Sequence, residues 1–441
     1  MSTKEREGEN PEQKEQEEYS FIQEKVVPKK RNKLKKFGIA LLVTLLLAII
    51  FGLVSSLVFY VSGNFIKDAF SRDDGKQKVV LDQDPDPGDT EPEDKPGDTK
   101  PDDTKKEDEK DGEDEEAALE DYAAAYTKLT EVAAKVNQSI VTVTGVTSGT
   151  DWFLNNSEKT NATSGLIYAE NGKELLILVN RSKIIDVNEI RVTFRNLAVS
   201  VAALYDADPV TGLAVVAVPM NEINAETKES YKIADLGESY TLTTGMPILA
   251  LGSPNGYLYS MEPGIITNRK SEITVVDNKL ELFNTDVNDN SNGDGVIVNL
   301  EGQVVGIITS QFKKDLNKNI STAISISKVK PLLENMANQE SRPYLGVVGS
   351  ELTNDAAKAL HVPYGIYITE VETGSPAFEA GLQRGDIITQ MDDVIISNFV
   401  NFRTALTEAG PNHKMKMTIV RTTKTVDNVL DMEITLKEQK K

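Results

Sequence analysis

Hydrophobic and polar positions change pattern several times along this 441-residue chain. Residues 1–36 are charged and poor in apolar side chains, which predicts a disordered tail. Phe37 to Val61 is apolar apart from Gly, Ser and Thr (FGIALLVTLLLAIIFGLVSSLVFYV). Its 25 residues, at 1.5 Å each, reach about 37 Å, enough to cross a hydrocarbon core with some tilt. Residues 82–116 contain almost nothing that could enter a core. Ala117 to Val136 then sets apolar residues at helical spacing and predicts a helix. Short β-rich runs follow between turn residues: SIVTVTGV, GLIYA, ELLILVN, EIRVTF, LAVVAV, MPILALG, EITVV, GVIVNL and QVVGIIT. Strands at this spacing predict a β-sandwich or barrel rather than a parallel α/β sheet. Beyond residue 342, Gly365 to Val371 alternates as a strand and Asn398 to Ala409 reads as a helix stopped by Gly410-Pro411. Met415 to Arg421 and Leu430 to Leu436 supply closing strands.

Charge sharpens this division. The net charge of −21 excludes nucleic-acid binding by simple attraction. Most of it lies between Asp73 and Asp121, where 22 acidic residues face 7 lysines. Proline and like charges predict an extended, disordered acidic stalk over 63–117. Lys29, Lys30, Arg31, Lys33, Lys35 and Lys36 precede the apolar run, so the positive-inside rule places the N-terminus in the cytoplasm and everything after Ser62 outside. A cleaved signal peptide fits less well: the run is too long, starts too late and lacks a small-x-small site. The expected plan is a tail (1–36), one transmembrane helix in the cell membrane (37–62), the stalk, a β-rich domain (118–335) and a smaller α+β domain (342–438). Cysteine is absent, so there is no disulfide, thiolate metal site or cysteine nucleophile.

The wording of the β-rich runs carries a further signal. Thr163-Ser164-Gly165-Leu166-Ile167-Tyr168, Leu176-Ile177-Leu178-Val179-Asn180 and Asp208-Pro209-Val210-Thr211-Gly212-Leu213-Ala214-Val215-Val216 follow in order. Leu236-Gly237-Glu238-Ser239, Ala250-Leu251-Gly252-Ser253-Pro254-Asn255-Gly256, Gly264-Ile265-Ile266, Thr285-Asp286 and Val298-Asn299-Leu300-Glu301-Gly302-Gln303-Val304-Val305-Gly306-Ile307 come next. Across about 200 residues this ordered set resembles the HtrA (DegP/DegS-like) family of serine proteases. The resemblance implies a mainly β fold with two chymotrypsin-like barrels and an active site between them.

Matched position by position, the catalytic residues implied by the resemblance are missing. The family's histidine lies in T-N-x-H-V after the strand that here ends at Asn180, and Ser182 stands there. The family's aspartate opens D-L-A-V, and Gly212 stands there. The nucleophile lies in G-N-S-G-G-P-L-V-N; counting back from Val298-Asn299 puts Gly293 at the serine. With the loop shifted, Ser291 becomes the alternative nucleophile. The chain has only His361 and His413, both outside this domain, and neither is assigned a role. A serine without a base is a weak nucleophile; Lys183 beside Ser182 offers at most a Ser-Lys arrangement. Asp294 follows Gly293, and a carboxylate in the loop that builds the oxyanion hole would oppose negative charge on a substrate oxygen. The loop Asp286 to Ile297 fails the EF-hand pattern, with Ser291 at position six and Ile297 at twelve, so no metal and no cofactor is expected.

In the smaller domain, Gly374-Ser375-Pro376-Ala377-Phe378-Glu379-Ala380-Gly381-Leu382-Gln383-Arg384-Gly385-Asp386-Ile387-Ile388 resembles a PDZ domain of the HtrA type. Such domains bind a peptide C-terminus as an added strand. The resemblance puts the carboxylate-binding loop at Tyr344, Leu345, Gly346 and Val347, with Ile366 and Ile368 beside it as candidate pocket residues. Gly346 permits close approach without a Cβ. The expected function is a membrane-anchored pseudoprotease that binds exposed C-termini or misfolded segments in envelope protein quality control or sensing. An active serine endopeptidase and a passive surface scaffold are the alternatives. A homotrimer is implied by the family alone.

Overall fold

The computed structural model describes residues 76–84, 113–150, 156–288, 290, 292–312, 320–352, 357–358, 364–422 and 427–440. The tail, the 37–62 span, most of the stalk, Ser291 and His361 lie outside these residues. Among the described residues no helix is long and apolar enough to cross a membrane.

Helix α1 (Glu113–Val136) leads into six strands: β1 (Ile140–Thr150), β2 (Asn156–Glu170), β3 (Glu174–Asn180), β4 (Glu189–Thr193), β5 (Val199–Asp208) and β6 (Leu213–Pro219). They close an antiparallel barrel in the order β1-β2-β3-β6-β5-β4. A short helix α2 (Ala225–Ser230), capped by the Asn224 side chain on the Thr227 N–H, starts the crossover. The second barrel is β7 (Pro247–Ser253), β8 (Ser260–Val275), β9 (Asn278–Asn288), β10 (Asp294–Val298), β11 (Val304–Ile308) and β12 (Ile320–Ser325), closed as β10-β11-β12-β9-β8-β7. Helix α3 (Ile326–Ala337) follows and packs on the seam between the barrels.

Continuous apolar runs, rather than clean alternation, mark the strands buried on both faces. In β3, Leu175, Ile177 and Val179 fill the first barrel, while Leu176 and Leu178 face the seam. β6 divides likewise: Ala214, Val216 and Val218 point inward, and Leu213, Val215 and Ala217 point to the seam. In the second barrel Ile248 and Ala250 line the interior, and Leu249, Leu251, Val296 and Val298 meet the seam. Each such Leu or Val, fully buried, contributes about 1.5–3 kcal/mol. The seam is therefore a core in its own right, and it fixes the cleft at its open end.

The C-terminal domain contains β13 (Pro343–Tyr344), β14 (Val347–Glu351), β15 (Ile366–Val371), α4 (Pro376–Ala380), β16 (Asp386–Met391), β17 (Val394–Ile395), α5 (Phe399–Ala409), β18 (Lys414–Thr422), β19 (Asp427–Thr435) and β20 (Lys437–Glu438). Its main sheet runs β14-β15-β16-β18-β19, with β17 on β16, and β13 pairs with β20. Asn398 caps α5 through the Asn401 N–H, and Gly410 ends it.

Two connections were not legible in the sequence. The stretch expected to be stalk from residue 63 is docked over 76–84. Val79 N–H donates to Asn338 Oδ1 at 3.0 Å, the Asn338 amide returns a bond to the Val79 carbonyl at 2.8 Å, and buried Asp84 pairs with buried Lys330 at 2.6 Å. At the domain junction Arg342 grips Asp206 of β5 with two bonds of 3.1 Å and donates to the Ala207 carbonyl at 2.8 Å. Both side chains are buried. Removing one partner of such a pair strands the other charge, so Arg342→Ala is expected to destabilise the chain by about 3 kcal/mol in denaturant unfolding. A loss below about 1 kcal/mol would show that the junction does not depend on this pair.

Candidate functional sites in the interbarrel cleft and the C-terminal loop

The cleft between the barrels holds a cavity of about 470 Å³ lined by Ser182, Gly212, Asp294, Gly295, Thr309 and Gln311 among others. Antiparallel pairing of β3 with β6 sets Asn180 opposite Leu213, and the Arg181 N–H donates to the Gly212 carbonyl at 2.9 Å. The fold thus brings Ser182 and Gly212 together at one rim. Ser182 Oγ donates to Asn180 Oδ1 at 2.8 Å within a one-turn 3₁₀ helix that Asn180 caps. At Gly212, φ is +72°, and a Cβ would stand 2.0 Å from Gln311 Oε1. Gln311 fills this space and donates to the Val210 carbonyl at 3.0 Å. The neighbouring carboxylate, Asp208, accepts from the Thr211 N–H and hydroxyl and from Gln439, closing the turn instead of facing the cleft.

Gly293 is the most constrained of the three positions. A Cβ there would lie 2.3 Å from the Pro254 carbonyl oxygen and 3.0 Å from that of Asn290. These are backbone atoms, so the space cannot be opened by a side-chain rotation. Asp294 is buried, and its carboxylate accepts from the Ser164 N–H at 3.1 Å and from the hydroxyls of Thr163 and Ser253. It therefore joins β2 of the first barrel to β7 and β10 of the second. Its carboxylate thus lines the cleft while held by three donors at the seam. Nothing in the sequence spacing marked Thr163 and Ser253 as partners of Asp294, or Gln311 as the neighbour of Gly212. His413 lies in the C-terminal domain, bonded to Asp392 at 2.8 Å.

In the C-terminal domain, Leu345, Gly346 and Val347 converge their N–H groups as a carboxylate-binding loop would. Gly346 has φ +89°, and a Cβ would meet that of Ser375 at 2.2 Å, so only glycine fits. Ile366 and Ile368 of β15 are fully buried in the domain core. Tyr344 bonds Glu372 through its hydroxyl at 2.5 Å. The three N–H groups are occupied. Asp277, at the tip of the β8–β9 hairpin, accepts from Leu345 at 2.8 Å, from Gly346 at 2.8 and 3.0 Å, and from Val347 at 2.9 Å.

Loss of water pushes the Asp277 carboxyl up to about 6, with Glu372 adding repulsion, against the pull of the three N–H donors. The Tyr344 phenol is held above its ordinary range by burial and its bond to Glu372.

A double chymotrypsin-like barrel with a C-terminal PDZ domain defines the class, and comparisons with known proteins agree. A trypsin-like peptidase domain model matches residues 163–307, and a PDZ domain model matches residues 343–432. A probable periplasmic serine endoprotease, DegP-like, of Rickettsia prowazekii is 29% identical over 267 residues, covering 58% of this chain and 50% of the relative. A serine protease, HtrA-like, of Staphylococcus aureus is 26% identical over 302 residues, covering 64% and 38%. The chain thus spans half or less of the length of these curated relatives. Among solved structures, the HtrA-type protease AlgW with a decapeptide superposes at a TM-score of 0.51 and 20% identity, covering 70% of this chain and 98% of that one. The chain thus carries a trypsin-like peptidase domain followed by a PDZ domain, and is similar to HtrA-type proteases in both sequence and fold.

Two outcomes follow from this geometry. Asp294→Ala leaves buried donors on Thr163, Ser164 and Ser253 without their acceptor, and is expected to destabilise the chain by about 3 kcal/mol in denaturant unfolding. An effect under about 1 kcal/mol would contradict its role in the seam. For Asp277, the docked state holds a proton more tightly than an exposed carboxyl of ordinary value 3.8. Its contribution is therefore fully present below pH 3.8 and is lost as pH rises to about 6, then stays level. Across that window the thermal midpoint of the wild type should fall relative to that of Asp277→Asn. A difference that stays flat or grows with pH would contradict the sign.

Proposed function

We propose that this protein is a catalytically silent HtrA-type receptor, anchored in the cell membrane through residues 37–62 with its N-terminus in the cytoplasm. Its folded domains lie outside and bind exposed protein C-termini or misfolded segments through the PDZ domain, in envelope protein quality control or sensing. The observation that carries the silent reading is at Gly293, which counting back from Val298-Asn299 puts at the nucleophile: it has no room for a Cβ beside the Pro254 carbonyl.

Acyl transfer by this fold needs a nucleophile, a base and an orienting carboxylate acting together. Each component is missing for a separate reason. The barrels contain no histidine. The Ser182 hydroxyl is bonded to Asn180, and Gln311 takes the space at Gly212. A serine elsewhere in the loop, such as Ser291, would still lack a base. Peptide binding is supported by the three convergent N–H groups of Leu345, Gly346 and Val347, and by β14, which continues directly from them. The decapeptide in the AlgW structure belongs to a protein of the same architecture.

Labelling of the full-length chain with a fluorophosphonate serine probe tests this reading. No adduct is expected on any serine, including Ser182 and Ser291. An adduct on Ser291 would overturn it in favour of an active endopeptidase. The triple reversion Ser182→His, Gly212→Asp, Gly293→Ser should also stay unlabelled, because its new serine meets the Pro254 carbonyl. A labelled triple variant would show that the nucleophile position had not closed.

A further inference from the structure

Asp277 does more than fill the C-terminal loop with a carboxylate. Its own N–H donates to the Val347 carbonyl at 2.8 Å. A residue that places a carboxylate on the N–H groups of Leu345, Gly346 and Val347, and returns its N–H to Val347, makes the bonds expected of the last residue of a peptide added as a strand. The turn makes this possible. Val275 pairs with Asn278, leaving Val276 and Asp277 as a two-residue tip, and Asp277 takes the left-handed φ of +54°.

The residues that follow reach both walls of the groove. Asn278 Oδ1 accepts from Arg403 of α5 at 3.1 Å. Lys279 pairs with Glu351 at the end of β14 at 3.2 Å, and Glu351 accepts from the Phe399 N–H that opens α5 at 2.7 Å. The hairpin is thus fixed to the strand and to the helix between which a peptide would lie.

We propose that the β8–β9 hairpin is an internal ligand of the PDZ domain, with Asp277 in the place of a peptide's C-terminal residue, so that an external C-terminus binds by displacing it. The proposal rests on the reading of this domain as a receptor for C-termini. It adds that the receptor is closed by default and that its key is a free terminal carboxylate. A side-chain carboxylate offers this loop one residue, whereas a peptide also adds strand bonds along β14. The tether works the other way: a linked ligand acts at an effective concentration of order millimolar. Apparent peptide affinity then falls in proportion to the fraction of molecules with the hairpin undocked.

The test measures binding of a fluorescent decapeptide library with free C-termini, and of the same library amidated, to the full-length wild type and to Asp277→Gly. Glycine suits the left-handed turn and removes the carboxylate. Free-carboxylate peptides are expected to bind Asp277→Gly at least tenfold more tightly than the wild type, and amidated peptides neither. Equal affinity for both proteins would overturn the internal ligand while leaving the receptor reading intact. Binding to neither would overturn both. Hydrogen exchange on the wild type needs no variant: saturating peptide should expose the amides of 276–278 while those of 345–347 stay protected. Unchanged exchange in the hairpin with peptide bound would also overturn the proposal.

Discussion

A backbone N–H removed from water has to find an acceptor, and two carboxylates of this chain meet that demand at its domain junctions. Asp277 takes the N–H groups of Leu345, Gly346 and Val347. Asp294 takes the Ser164 N–H, together with the Thr163 and Ser253 hydroxyls, beside the loop that holds Gly293. In both places the chain satisfies its own donors. The first bond set ties the second barrel to the PDZ domain, and the second ties the barrels to each other. Together with the Arg342–Asp206 pair they hold the domains in one arrangement.

The stability of the scaffold lies away from the cleft positions. β3, β6, β7 and β10 bury both faces, one in a barrel and one in the seam. Ser182, Gly212 and Gly293 sit beyond the ends of these strands, in connecting loops, where substitution leaves the two-sided core untouched. Gln311 occupies the space beside Gly212, and the Pro254 carbonyl lies against Gly293. A retained framework is therefore no measure of retained chemistry.

The parts legible in the sequence were those with a repeating physical pattern. Continuous runs such as Leu175 to Val179 marked strands buried on both sides, and Asn398 with Gly410 marked the ends of α5. Ser182, Gly212 and Gly293, the positions singled out by the resemblance, each sit next to a strand of the barrels. What escaped were contacts between residues far apart in sequence. Asp277 in Val276-Asp277-Asn278 reads as an ordinary hairpin tip, and only the folded hairpin brings it to Gly346, 69 residues on. The docking of residues 76–84 was hidden by acidic, proline-rich neighbours. Asp294 was recognised as unusual, but its partners Thr163 and Ser253 lie 131 and 41 residues away, and no local rule pairs them.

Turnover of a labelled unfolded protein such as casein addresses the central claim most directly, measured with the full-length chain near pH 8, with and without saturating free-carboxylate peptides. The expected result is no cleavage above buffer in either case, because opening the PDZ domain restores neither base nor nucleophile. Cleavage that a serine-directed phosphonate abolishes would contradict the account.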